Sequence, residues 1–234
     1  MLKVGLTGGI ASGKSLVGEM FVAHGAQIIH ADRIAHELME PGEAVHNEVV
    51  RNFGREILNP DGSVNRAKLA EAAFGSNTTA AEGKTSPVGS RPISSRIEEL
   101  NRIIHPAVIR RQEEWMEDVR RRDASAVAIV EAALILEAGV AEHFDRLIVV
   151  TCRDDQRVRR FAERQKLGLE AARNEVARRM AAQLPDDEKI KAADYVIDNS
   201  GSLDETREQV GQVWQQLRTE ANANPQRSRT QRSL

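Results

Sequence analysis

Apolar positions along the chain gather into five short, partly β-branched runs: Lys3 to Thr7, Ala26 to His30, Ala126 to Glu131, Arg146 to Cys152 and Asp194 to Asp198. Between them lie polar stretches in which apolar residues recur at helical spacing, such as Val17, Met20 and Phe21 after the first run. This alternation predicts an α/β fold, a five-stranded parallel sheet flanked by helices. Ligands of such sheets gather at the carboxyl ends of the strands, near a topological switch point. The first run is expected to deliver a glycine-rich loop there, and the second to deliver Ala31-Asp32-Arg33 beside it.

Residues 35–122 are mostly helical in pattern, with a turn at Asn59-Pro60-Asp61-Gly62, a helix start at Asn65 and another helix beginning at His105-Pro106. In that last helix Val108, Trp115 and Val119 fall on one face. The stretch 75–95 is rich in Ser, Thr, Gly, Ala and Pro without period, which predicts a mobile surface loop. Residues 153–183 are strongly charged and helical, with arginines at 157, 159, 160, 164, 173, 178 and 179. The last helix opens on the capping box Ser202-Leu203-Asp204-Glu205 and is expected to bury Leu203, Val210, Val213 and Leu217. Residues 219–234 read as a disordered tail, leaving 1–218 as one domain.

A length of 234 residues suits one α/β domain with an added helical region, and it allows a substantial core. The formal charge of −2, from 33 Lys+Arg against 35 Asp+Glu, gives no net field for holding nucleic acid or an anionic membrane. A bound polyanion must therefore be met by local cations. Cys152 is the single cysteine, which excludes an internal disulfide and suits a reducing compartment. The amino terminus shows no basic-then-apolar leader, and the apolar stretch Ala124 to Leu136 is short and interrupted by Glu131. The expectation is a soluble, cytoplasmic protein without nucleic-acid or membrane partners; oligomeric state leaves no mark in the sequence.

The run Gly8-Gly9-Ile10-Ala11-Ser12-Gly13-Lys14-Ser15 meets G-x-x-x-x-G-K-[ST] at every fixed position. Its glycines permit the tight turn that aims successive backbone N–H groups at a polyphosphate, and the following helix adds the positive end of its dipole. In such a loop Lys14 reaches the β- and γ-phosphates, and the Ser15 hydroxyl is the natural ligand for Mg²⁺. No Asn-Lys-x-Asp guanine-reading sequence is present, and Val127-Ala128-Ile129-Val130 is followed by a lone Glu131 instead of Asp-Glu. Those absences favour a small-molecule kinase over a GTPase or motor ATPase.

A kinase needs a group that takes or orients the acceptor's hydroxyl proton. Asp32 suits that role, and it also suits an N-cap for a helix beginning at Arg33. The transferring phosphoryl needs cations as water leaves. Arg160 and Arg164, one helical turn apart, can close over ATP as a lid or can be solvated charges paired with Asp154, Asp155 and Glu163. His105 can contact the acceptor, cap a helix or be a satisfied polar residue.

Together these residues resemble the dephospho-CoA kinase family. Leu6-Thr7-Gly8-Gly9-Ile10 with Ser12-Gly13-Lys14-Ser15 is similar to the family's opening, and His30-Ala31-Asp32 to its acidic motif. Pro41-Gly42, Phe53-Gly54, Asp61-Gly62, Leu100-Asn101 and Ile104-His105-Pro106 follow in the family's order, then Leu136-Glu137-Ala138-Gly139, Gln183-Leu184-Pro185 with Glu188-Lys189, and Ala193-Asp194-Tyr195-Val196-Ile197-Asp198-Asn199. The resemblance implies an ATP- and Mg²⁺-dependent transfer to the ribose 3′-hydroxyl of dephospho-CoA, with CoA and ADP as products. It implies that Asp32 faces the acceptor ribose with His105 nearby, and that residues 35–122 hold the acceptor. Residues 153–183 would be the lid, Arg160 assisting catalysis. ATP would be held by Gly8, Gly9, Ala11, Ser12, Gly13, Lys14, Ser15, Leu16, Arg164 and Asn199, the last near the adenine. Ala11 and Leu16 depart from the commoner Gly and Thr, Ala132-Ala133 replaces a Pro-containing turn, and Glu131 stands at a usual Asp position. The spacing from Gln156 leaves Arg159 and Arg160 as alternatives. A nucleoside or nucleotide kinase, or a nucleotide-binding regulator, are the other readings of the same loop.

Overall fold

A computed structural model describes residues 1–74 and 93–223. Strands β1 (Leu2–Gly8), β2 (Gln27–His30), β3 (Val127–Glu131), β4 (Arg146–Thr151) and β5 (Tyr195–Asp198) form one sheet in the order β2-β3-β1-β4-β5. Every pairing is parallel, with Leu6 opposite both Glu131 of β3 and Ile148 of β4. β1 is central, and all its residues except Lys3 are buried, as expected of a strand covered on both faces. β2 and β3 lie on one side of β1, and β4 and β5 on the other, so the loop leaving β1 lies at the switch point.

The helices are α1 (Lys14–Ala23), α2 (Ala31–Glu37), α3 (Ala44–Phe53), α4 (Arg66–Phe74), α5 (Ile93–Arg122), α6 (Asp154–Gln165), α7 (Leu169–Ala181), α8 (Asp186–Ala192) and α9 (Leu203–Ala223). The chain divides into two compact units, one of Met1–His30 with the chain from Trp115 onward, the other Ala31–Glu114. In the first unit, Val4, Leu6, Val17, Phe21, Ile129, Ile148, Val150, Ile197, Val210 and Leu217 form the core that packs α1 and α9 against the sheet. In the second, Val45, Val49, Phe53, Ile57, Leu69 and Ala73 are buried. There Asn65 Oδ1 accepts from the N–H groups of Ala67 and Lys68, both at 3.1 Å, and so caps α4 at the expected start.

Four expectations are corrected. β3 lies between β2 and β1, so β2 is not beside the loop-bearing strand but two strands away, about 9–10 Å. His105-Pro106 does not begin a helix; Pro106 lies inside α5, which continues to Arg122. Leu203 is 51% exposed, because it occupies the first turn of α9, ahead of the buried stripe Val210, Val213 and Leu217. Helix α9 runs on to Ala223 and takes in 219–223 of the expected tail, since Glu220 accepts from the Tyr195 hydroxyl at 2.9 Å and pairs with the guanidinium of Arg146. The expected mobile loop 75–95 falls outside the described residues at 75–92, while 93–95 open α5. The tail beyond 223 also lies outside them. Among the described residues no helix is long and apolar enough to cross a membrane.

Candidate active site at the phosphate-binding loop

Between the end of β1 and the start of α1 the backbone turns through positive φ at Gly8 (152°), Ala11 (54°) and Gly13 (96°). Gly8 and Gly13 have no substitute on steric grounds as well. A Cβ on Gly8 would strike the Val150 carbonyl oxygen, and one on Gly13 would strike the Asn199 amide. Ala11 holds a left-handed conformation that costs an L-residue about 1–2 kcal/mol, so the loop around it must enforce it.

The enforcement is visible in the carbonyls. Lys14 Nζ donates to Gly8 O at 2.9 Å and to Gly9 O at 3.1 Å. Arg157 Nη1 donates to Ile10 O at 2.8 Å, and Cys152 Sγ lies 3.7 Å from Ala11 O. Asn199 Nδ2 donates to Ser12 O at 2.9 Å, with Arg160 Nη1 on the same oxygen at 3.4 Å. Each carbonyl from Gly8 to Ser12 is thus occupied by a donor. A trans peptide points its N–H opposite to its C=O, so pinning the oxygens in this way fixes where the loop N–H groups point. One of them, Ser12 N–H, closes a turn on Gly9 O at 3.3 Å. Ser12 Oγ is buried without a hydrogen-bond partner among the described residues.

Ser15, in the first turn of α1, donates its hydroxyl to Glu131 Oε1 at 2.8 Å. Glu131 ends β3, and its Oε2 approaches His30 Nδ1 at 2.7 Å without an aligned hydrogen bond. The register pairs His30 with Glu131 across β2 and β3. A hydroxyl backed by a carboxylate is an oxygen donor set suited to a hard cation such as Mg²⁺, which takes most of its other ligands from water and phosphate. The residues present therefore fit that ion.

Helix α6 supplies the cations nearest the loop. Arg160 Nη2 donates to Asn199 O at 2.9 Å, so Arg160 and Asn199 brace the loop together, and Thr206 Oγ1 steadies Asn199 Oδ1 at 3.2 Å. Asn199 is 2% exposed, with its amide turned to Ser12. Arg159 instead faces outward and pairs with Asp155 at 3.6 Å. Arg164 is exposed and sits over the Phe161 ring at 5.8 Å. Phe161 and Ala162 of α6 pack with Ala172 and Val176 of α7 and with Ile10, which ties this helical pair to the loop. Leu16, next to Ser15, is 36% exposed on α1.

In the second unit, Asp32 is exposed in the first turn of α2, and its carboxylate makes no hydrogen bond or ion pair with any described residue. It is not an N-cap, because the helix already includes Ala31. His105 is exposed on α5, one residue before Pro106.

One group important to the site carries little signal in the sequence. Arg157 is one of eight arginines in 153–183, and nothing in their spacing marks it as the one that is fully buried. Lys189, also fully buried, pairs with Glu137 at 3.0 Å, and Glu137 accepts from Leu184 N–H at 3.0 Å, which brings together two of the segments on which the family resemblance rests. Arg157 and Lys189 thus each hold a partly exposed carboxylate, Asp186 and Glu137, from a fully buried position. Glu131 had a signal, its place at the end of a wholly apolar run.

A phosphate-binding loop on the central strand of a parallel sheet in this order, without a guanine-reading motif, is that of a P-loop kinase. Comparison with known proteins narrows the class. A family model described as dephospho-CoA kinase matches residues 2–205. A dephospho-CoA kinase of Corynebacterium efficiens is 38% identical over 225 residues, covering 94% of this chain and 98% of the relative. Its counterpart in Geobacter metallireducens is 39% identical over 216 residues, covering 92% and 96%. A crystal structure from Thermus thermophilus matches with a TM-score of 0.69 at 27% identity, over 95% of this chain and 98% of that one. The chain belongs to the dephospho-CoA kinase family, ATP-dependent kinases of the final step of coenzyme A biosynthesis.

Proposed function

We propose that this chain transfers the γ-phosphoryl group of ATP to the ribose 3′-hydroxyl of dephospho-CoA, giving CoA and ADP, with Mg²⁺ as the metal and the cytoplasm as its compartment. The observation that carries this reading is the loop itself. Its glycines leave no room for a Cβ, its carbonyls are held by donors, and α1 presents Lys14 and Ser15 at its mouth. Lys14 exchanges the Gly8 and Gly9 carbonyls for phosphate oxygens when the nucleotide enters. Gly8, Gly9, Ala11, Ser12, Gly13 and Leu16 line the donor, and Ser15, backed by Glu131, holds the metal. When bound, Mg²⁺ offsets charge on the phosphate oxygens.

Asp32 accepts or orients the proton of the acceptor hydroxyl, and His105 contacts the acceptor. The helical region carrying these two residues takes the acceptor, and residues 153–183 close over ATP. Arg160 neutralises the transferring group and Arg164 contacts the nucleotide. Asn199, whose backbone carbonyl and amide already serve the loop, borders the adenine. Nucleic acid and membranes are not partners.

The test is a purified chain given ATP and Mg²⁺ with dephospho-CoA or a panel of nucleosides and nucleoside monophosphates, the products identified by mass. Phosphorylation of dephospho-CoA alone is expected. A preferred nucleoside acceptor, or nucleotide binding with no phosphorylated acceptor, contradicts the reading.

A further inference from the structure

We infer that Arg157 is a positioning residue for the donor nucleotide, one that sets the phosphate-binding loop from the arginine-rich helix α6 without touching the substrate. Its side chain is fully buried. A guanidinium shut away from water must have its charge matched and its donors used. Nη2 donates to Asp186 Oδ2 at 2.5 Å and to Cys152 O at 3.4 Å, while Nη1 donates to Ile10 O at 2.8 Å. Asp154 stands 3.6 Å from Nε, which has no hydrogen-bond partner. Three elements therefore meet on one fork: the loop, the end of β4, and α8 through Asp186.

Ile10 and Ala11 are the point where that grip matters. Ala11 is held at a φ of 54°, which an L-residue resists, and its N–H belongs to the same peptide as the Ile10 carbonyl. Holding the oxygen on the Arg157 side turns the Ala11 N–H to the opposite side. The guanidinium also occupies the space a Cβ on Gly9 would need, so the adjoining residue must be glycine. A lysine at 157 carries the charge but ends in one point of donation and cannot span Asp186 and Ile10 together. The inference rests on the kinase reading, and its test is read on nucleotide alone so that the two can fail separately.

Binding of ATP is measured by calorimetric titration with no acceptor present, for wild type, Arg157→Lys and Asp186→Asn, alongside melting temperatures of the nucleotide-free chains and separate KM values for both substrates. Arg157→Lys is expected to weaken ATP binding by about tenfold, as for loss of a charge-assisted hydrogen bond, with the KM for dephospho-CoA changed by less than about twofold. Asp186→Asn keeps the Ile10 contact and loosens its anchor; since Asp186 is 25% exposed, the variant is expected to fold and to show a smaller loss in the same direction. Wild-type ATP affinity in both variants overturns the positioning role. So does an equal rise in both KM values that tracks a fall in melting temperature. A wild-type chain that binds no ATP overturns the kinase reading itself, and the positioning role with it.

Discussion

The Ser15 hydroxyl and the Glu131 carboxylate meet at 2.8 Å, joining the first turn of α1 to the carboxyl end of β3. Glu131 thereby orients the proposed metal ligand, as groups behind a ligand do in metal sites generally. Glu131→Gln keeps the shape and removes the charge. The free Mg²⁺ needed for half-maximal rate is expected to rise by about tenfold, with the melting temperature of the nucleotide-free chain little changed. A titration of rate against Mg²⁺ checks this, and an unchanged requirement would assign Glu131 to the fold alone.

Gly13→Ala introduces a Cβ that collides with the Asn199 amide at a backbone angle of 96°. Either the loop shifts or Asn199 and Arg160 are displaced from Ser12 and from each other. Stability is expected to fall by about 1–3 kcal/mol, and ATP binding is expected to be lost. Urea unfolding and nucleotide titration read the two effects separately.

Ion pairs differ in worth by burial. Glu137→Ala leaves the Lys189 ammonium, which has no exposed surface, with Gln183 Oε1 at 3.2 Å but without its carboxylate, and is expected to cost about 3 kcal/mol. Glu37→Ala breaks the exposed pair with Arg33 and is expected to cost less than about 1 kcal/mol. Urea midpoints at constant slope compare them. Equal costs would contradict the link between burial and worth.

Hydrogen bonds from Arg178 and then Arg179 hold the Glu175 carboxyl down at about 2, against an ordinary 4.5. A lowered folded value means the stabilisation is complete above the ordinary value and is lost as pH falls towards about 2. The stability difference between wild type and Glu175→Gln is therefore expected to shrink on acidification through that window. A difference that grows instead would contradict the sign.

The five strands were legible because apolar, β-branched runs between helical stretches leave few other solutions, and the loop because its glycines, lysine and serine are close in sequence. What failed was adjacency. Nothing local says that β3 inserts between β1 and β2, so Glu131 rather than the residues after His30 turned out to neighbour the loop strand. Asn199 meets Ser12 across 187 residues, and Arg157 meets Ile10 across 147. Such contacts are set by tertiary packing, for which composition and periodicity hold no record. Pro106 read as a helix start because proline is tolerated in the first turn, yet packing carried α5 through it.

Asp32→Asn is expected to lower kcat by about 10²- to 10⁴-fold, the range for a lost general base, with ATP affinity nearly kept. Rapid-quench turnover and nucleotide titration check the pair of values. Near-full turnover would remove Asp32 from the chemistry.

The most direct measurement is the product balance of the wild-type reaction, with ADP quantified and the new phosphate located by phosphorus NMR after incubation with ATP, Mg²⁺ and dephospho-CoA. Equal amounts of ADP and CoA, the phosphate on the ribose 3′-oxygen, are predicted. ADP without CoA, or phosphate at any other position, would contradict the account.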